Sequence, residues 1–199
     1  MALTVASLRI GIGKVRNTLE SEHLALSELD GRLGDGDLGL TLLKAFRQLD
    51  ETAPTLEDDL GRAFGRCAMD VAKVASSSFG TLLATSFMAA AKGVKGQTEV
   101  PWSALSTMLD DALAAMMARG KAQLGEKTVL DAVASCAQAV KGIEDPAEQR
   151  TKAIEAVDAA LQEFRDRPCM VGRARIFGDK TVGMDDPGMV AFRTMLGAL

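Results

Sequence analysis

The stretch LTVASLRIGIGKVRNTL, residues 3–19, decides the fold class. Its apolar side chains fall at Leu3, Val5, Leu8, Ile10, Ile12, Val15 and Leu19. That is mostly the recurrence of one helix face, with Gly11 and Gly13 as weak points. The same period runs outward along the chain. The stretch Leu24–Leu29 is short and leads into a glycine-rich loop. A second long helix is expected over Gly39–Leu49, where Leu40, Leu43, Phe46 and Leu49 recur, and Thr52–Pro54 breaks it. Thr55 is read as the next N-cap, with Asp58 and Asp59 in a first turn that favours anions. Leu56, Leu60, Phe64, Cys67 and Val71 form the apolar face of that helix. Further helices are expected over Thr81–Lys92, over Trp102–Met117 with Pro101 opening it, and over Thr128–Val140, Pro146–Phe164 and Pro187–Leu196. The total is about eight helices on mostly short connectors. No run of strand signals interrupts them, so the fold class is all-α, with a helical bundle as the plain expectation. No repeat or composition break divides the chain, which reads as a single domain over 1–199.

Composition bounds the function classes. The chain has 199 residues with 47% apolar and 25% charged residues, the balance of a soluble globular protein. The formal charge of −4 disfavours a nucleic-acid partner. Tyr is absent and aromatics are 4%, so base-stacking platforms are poorly supplied. Cys67, Cys136 and Cys169 are far apart and His23 is the only histidine, which leaves no zinc set of the usual kind. Three unpaired thiols in so apolar a chain suggest reduced, packed cysteines and a cytoplasmic location. The first residues lack the pattern of a signal peptide, and no apolar run is long enough for a membrane span.

The segment with the most chemical content is Leu29-Asp30-Gly31-Arg32-Leu33-Gly34-Asp35-Gly36-Asp37-Leu38-Gly39. Glycines let such a loop fold tightly on itself. Asp35 and Asp37 can then converge on one cation, and Asp30 could close a third side. A carboxylate-only set suits Mg²⁺ or Ca²⁺. An EF-hand register fails from either Asp, because Arg32 and Gly34, or Gly39, fall where acidic ligands are required. A magnesium site completed by substrate phosphates fits better. The competing reading is a solvated Asp/Gly turn.

Three other segments could contact an anion, although each also reads as an ordinary cap or solvated loop. Ser76-Ser77-Ser78-Phe79-Gly80-Thr81 precedes a helix, as a phosphate site at a helix N-terminus requires. Arg119-Gly120-Lys121 is a basic connector that runs on to Thr128. A long connector carries Gly172-Arg173-Ala174-Arg175 and ends in Asp185-Asp186-Pro187-Gly188, and connectors of that length are usually functional or disordered. No Walker A or protein-kinase signature is present, and Glu22-His23-Leu24 offers no hydrolase triad.

Taken in order, these segments resemble the nucleotide-binding L subunit of dihydroxyacetone kinase. The pieces that carry the resemblance are Gly34-Asp35-Gly36-Asp37 with Asp30, the serines before Gly80-Thr81, Gly120-Lys121-Ala122 with Gly125-Glu126-Lys127-Thr128, Gly172-Arg173-Ala174 and Asp186-Pro187-Gly188. They span nearly the whole chain. The resemblance implies a barrel of eight antiparallel amphipathic helices with the nucleotide at one end. It implies that Asp30, Asp35 and Asp37 hold two Mg²⁺ ions bridging the phosphates of ATP or ADP. Ser77, Ser78, Gly80 and Thr81 would cradle phosphate. Leu38, Gly39, Thr41 and Phe79 would touch the nucleotide pocket, with Gly120, Lys121, Thr128, Arg173, Asp186, Pro187 and Gly188 lining it.

Two positions depart from the family pattern. Leu38 stands where phosphotransferase-linked members commonly carry His, and Phe79 replaces the small residue of a Ser-Gly pair. In the family the ketose is held by a separate K subunit, and nothing in this chain looks like it. The activity implied is phosphoryl transfer from nucleotide to a small ketose such as dihydroxyacetone. The alternative implied is an ADP-loaded relay or regulatory module that works with a phosphocarrier protein or a transcriptional regulator. The resemblance is compatible with a homodimer.

Overall fold

The computed structural model describes residues 2–199. It contains eight α-helices among the described residues: α1 (Val5–Gly31), α2 (Leu38–Thr52), α3 (Leu60–Val74), α4 (Ser78–Gly93), α5 (Leu105–Gly120), α6 (Val129–Ala139), α7 (Pro146–Arg165) and α8 (Pro187–Ala198). The helical period of the sequence therefore maps onto helices throughout, with three local corrections.

First, α1 runs unbroken through Gly11 and Gly13, past Leu19 and through Leu24–Leu29, to Gly31. A capping box at Thr4 and Ser7 starts it. Each interior glycine costs about 1 kcal/mol in isolation. Packing offsets part of this, because a Cβ on Gly11 would press on Leu199 Cδ2 at 3.2 Å. Second, Asp59 and not Thr55 caps α3. Its Oδ1 accepts from the Arg62 amide at 2.8 Å, whereas Thr55 ends a short 3-10 turn, Ala53–Thr55. Leu56 stays buried outside the helix. Third, a small sheet appears. Strand β1 (Ala2–Thr4) pairs antiparallel with β2 (Glu99–Pro101), Leu3 opposite Val100. Pro101 closes β2, and a 3-10 turn, Trp102–Ala104, leads into α5.

Successive helices pack on one another from α1 to α8, and α8 also packs on α1 and α6. The large core lies between α1, α2 and α3, where Leu19, Leu42, Leu43, Leu49 and Leu60 are sealed from solvent. Each such leucine contributes about 1.5–3 kcal/mol. A second cluster joins α6, α7 and α8 around Val140, Val157 and Met189. A third, Met116, Ala122, Val129, Leu130 and Val133, sits between α5 and α6. Phe79 packs against both the first and the third. The three cysteines are free and buried, and burial pushes the Cys67 thiol up to about 12 and Cys136 to about 11. No helix among the described residues is long and apolar enough to cross a membrane.

Candidate functional site

A cavity of about 450 Å³ opens between the cores at one end of the helices. Four helices begin at its wall. Asp37, Ser77, Thr128 and Asp186 are the N-cap residues of α2, α4, α6 and α8, and all four line it. First-turn N–H groups lack intrahelical partners and lie at the positive end of the helix dipole. The cavity thus gathers several sources of anion affinity.

One corner of it is acidic. Asp30 lies in the last turn of α1, and a tight turn returns the chain to Asp35 and Asp37. Gly36 makes that turn with φ +73, and a Cβ on Gly34 would stand 2.7 Å from Asp30 Oδ1. Position 36 therefore needs glycine, and a side chain at Gly34 would push the Asp30 carboxylate aside. One oxygen from each of Asp30, Asp35 and Asp37 lies within 4.8 Å of the others. Asp37 occupies an N-cap but makes no capping hydrogen bond. Asp30 instead reaches across to α2, where its Oδ2 accepts from the Leu38 amide at 3.3 Å. Burial pushes the Asp30 carboxyl above its ordinary range, the Asp35 and Asp37 charges push the same way, and the amides of Leu38 and Gly36 oppose them. Arg173 answers part of this charge with its Nη1 2.8 Å from Asp35 Oδ2. Three converging oxygens under mutual repulsion fit a hard divalent cation, which takes oxygen ligands and few protein carboxylates.

The opposite side is shaped by caps. Ser77 Oγ accepts from the Gly80 amide at 3.2 Å. At Thr128 a capping box forms, and the buried Asp131 takes the Thr128 amide at 2.8 Å and the Gly125 amide at 2.6 Å. Asp186 Oδ1 accepts from the Met189 amide at 2.8 Å. Burial lifts the Asp186 carboxyl to about 7, against the pull of the Met189 amide and the Lys127 charge.

Most of the residues that the sequence singled out line this cavity: Asp30, Asp35, Asp37, Leu38, Ser77, Ser78, Phe79, Thr81, Gly120, Thr128, Arg173, Asp186, Pro187 and Gly188. Four do not. Gly39 is buried against α1, where a Cβ would come within 2.8 Å of Ser27 Oγ and closer to the His23 carbonyl. Thr41 is buried within α2. Gly80 packs on Ala75, whose carbonyl oxygen a Cβ would meet at 2.5 Å. Lys121 is exposed and ends α5 in the left-handed conformation, φ 52. Gly39 and Gly80 hold the frame by close approach, and Thr41 and Lys121 stand outside the lining. Arg119, from the basic connector Arg119-Gly120-Lys121, lines the cavity as well. Its apolar walls, Leu33, Leu82, Met116, Val129, Leu130 and Val171, carry no ligand signal in the sequence, because an apolar side chain reads the same in a core and in a cavity wall.

The DAK2 domain family profile matches residues 32–199. The ADP-binding subunit DhaL of PEP-dependent dihydroxyacetone kinase 2 from Listeria innocua is 32% identical over 177 residues, covering 85% of this chain and 82% of that protein. The ADP-binding subunit DhaL of the PTS-dependent dihydroxyacetone kinase from Lactococcus lactis is 30% identical, covering 94% of this chain and 91% of that protein. Human triokinase/FMN cyclase is 29% identical over 94% of this chain but only 33% of its own length. Among solved structures, the dihydroxyacetone kinase of C. freundii in complex with AMP-PNP and Mg²⁺ superposes with a TM-score of 0.75 at 23% identity. That match covers all of this chain and 34% of the other, so this chain spans about a third of that structure and shares the fold of that part.

Proposed function

Because this chain belongs to the DAK2 domain family, whose similar members are subunits or parts of kinases, we propose that residues 1–199 form one nucleotide- and Mg²⁺-binding domain of a dihydroxyacetone-type kinase. Its task is to present a phosphoryl group to a small ketose held by a separate K subunit. The observation that carries this reading is the acidic corner: three carboxylate oxygens within 4.8 Å, in a cavity that four helix N-termini share. The contacts of α8 with α1, together with the N-caps of α2, α4, α6 and α8 at one end, support an antiparallel eight-helix barrel.

In this reading Asp30, Asp35 and Asp37 hold two magnesium ions. Bound there, the ions neutralise phosphate oxygens, which is most of what phosphoryl transfer asks of a protein. The chain's own groups do the positioning. The N-termini of α4, α6 and α8 orient the phosphates through backbone N–H groups. Phe79, Leu82, Met116 and Leu130 form an apolar wall for the nucleoside. Arg173 supplies a guanidinium beside Asp35. Leu38 sits where a histidine would bring a polar ring, so its part is packing, with its amide fixing Asp30. The reading places the domain in the cytoplasm with its partner.

The test is calorimetry of ATP and ADP with and without Mg²⁺. Binding that depends on Mg²⁺ is expected, and equal affinity in EDTA would falsify the assignment. The names of the similar DhaL proteins, ADP-binding subunits of PEP- and PTS-dependent kinases, favour a second form of the same chemistry. There the nucleotide stays bound as ADP and is rephosphorylated by a phosphocarrier, and the loaded domain can also contact a transcriptional regulator. ADP retained through purification selects that form, and free exchange with ATP selects the first. Size measurements on the purified chain decide between monomer and homodimer.

A further inference from the structure

The connector between α7 and α8, residues 166–186, walls the cavity with Val171, Gly172, Arg173 and Ala174. A segment this long, structured only by the 3-10 stretch Ala174–Thr181 that breaks at Gly178, moves unless something ties it down. Its tip is tied by little. Arg173 is 66% exposed along its side chain and Ile176 is 77% exposed. The hydrogen bonds of residues 172–180 stay inside the loop, and the ion pair with Asp35 is the tip's one polar tie to another element.

The neck is different. Lys127, just before α6, is 1% exposed. Its Nζ donates to the carbonyls of Arg165 at 3.1 Å and Arg167 at 2.7 Å on the outgoing side, and of Thr181 at 2.9 Å on the returning side. An ammonium has three hydrogens and no acceptor, so all three are used. Around it the Cys169 amide donates to Thr181 Oγ1 at 2.8 Å, and the Gly183 amide to the Arg165 carbonyl at 2.8 Å. Burying such a charge is expensive unless it is fully hydrogen-bonded. Lys127 also sits at φ +60, a conformation that favours glycine. A side chain kept at a strained, buried position points to a task for that side chain. Lys127 does not line the cavity.

We propose that Lys127 is a positioning residue that staples the two ends of this connector together, so that the wall bearing Arg173 stands over the cavity. Nucleotide affinity then depends on a side chain that does not touch the nucleotide. The inference rests on the nucleotide reading of the cavity, but the staple itself can be judged apart from it.

The first measurement uses the unaltered protein. Native-state hydrogen exchange should find the amides of Cys169, Met170 and Gly183 protected and those of 173–180 exchanging fast; a neck as fast as the tip overturns the staple whether or not nucleotide binds. The second uses Lys127→Met. Tryptic cleavage after Arg173 and Arg175 should speed up, and Mg·ADP affinity should fall by on the order of tenfold or more, since misplaced binding groups lose much of their effect. Helical content should be retained. A lysine with only a structural role would lower the unfolding temperature and leave the affinity of the folded fraction unchanged, and that result rejects the proposal. Should Lys127→Met fail to fold, Thr181→Val removes the neighbouring tie while keeping the ammonium. It must shift loop cleavage and affinity in the same direction, and an unchanged affinity again overturns the claim. If the wild type binds no nucleotide, the functional reading falls, while the exchange pattern still decides the staple.

Discussion

Replacing Gly39 by alanine should split the acidic corner without touching a carboxylate. Gly39 lies in the first turn of α2 against the backbone of α1. A Cβ there would stand 2.7 Å from the His23 carbonyl carbon and 2.8 Å from Ser27 Oγ, and closer still to the His23 oxygen. Ordinary van der Waals contact for a Cβ begins near 3.4 Å. The obstacle is mostly backbone, so the helices must part by roughly 1 Å rather than one side chain turning aside. Overpacking of this kind costs about 1–3 kcal/mol, and the rigid partner puts it at the upper end. Alanine returns about 1 kcal/mol in helix propensity. The net loss is about 2 kcal/mol. Because α1 carries Asp30 and α2 begins at Asp37, the same displacement spreads oxygens now within 4.8 Å. Mg²⁺ demands close, near-octahedral geometry, so Mg-dependent nucleotide affinity should fall by about tenfold to a hundredfold. The control is Gly65→Ala in α3, where the nearest atom to a Cβ is Ala91 Cβ at 3.9 Å. That variant should gain about 0.5–1 kcal/mol and bind as before. Urea denaturation and calorimetry read both variants. Equal stability and equal binding for the two would refute the claim that close approach of α1 and α2 builds the site.

Asp35→Ala and Asp37→Ala should abolish Mg-dependent binding at almost no cost in stability. Asp35 has only a partly exposed pair with Arg173, worth at most about 1 kcal/mol, and Asp37 makes no cap bond. A loss of fold in either variant contradicts this. Conversely, Mg²⁺ and ADP together, each far above its dissociation constant, should raise the unfolding temperature of the wild type, about 2.7 kcal/mol at a hundredfold excess; chelation with EDTA should remove the gain. Asp186 predicts a pH effect in metal-free buffer. Its carboxyl is held up at about 7 when folded, against an ordinary value of 3.8, so the folded chain keeps a proton that the unfolded chain releases. Stability from this group is therefore present at low pH and lost as pH rises through about 4 to 7. Asp186→Asn keeps the cap acceptor and lacks this slope, so its advantage over the wild type should grow between pH 5 and pH 8. Parallel urea midpoints across that range count against the assignment. Phe79→Ala removes a ring shared by two cores and a cavity wall, and should cost about 2–4 kcal/mol in thermal unfolding while enlarging the pocket.

The loop from Asp30 to Asp37 could be read as a cation site because its signal is local: carboxylates two residues apart among glycines. Helix type was legible for the same reason, since apolar period is a property of neighbours in the chain. The limits are equally physical. Thr55 and Asp59 are both good caps, and only the course of the chain after Pro54 selects Asp59. The strand Ala2–Thr4 has no pattern of its own, and its partner is Glu99–Pro101, far away in sequence. Gly39 and Gly80 stand out in the sequence through the family resemblance, and only the fold adds that their missing Cβ atoms make room for protein backbone. Leu130 and Met116 carry no ligand signal of their own, because a cavity wall and a core face have the same period.

What residue order alone settled here was the set of short-range choices: helices rather than strands, glycines where the chain must turn, and three acidic side chains within eight positions. The fold decided which distant groups meet. It brought four helix starts to one cavity, set Arg173 on Asp35, and wrapped the carbonyls of 165, 167 and 181 around Lys127. Periodicity and turn chemistry act over a few bonds, whereas these meetings depend on how whole helices pack, and no local pattern encodes that distance.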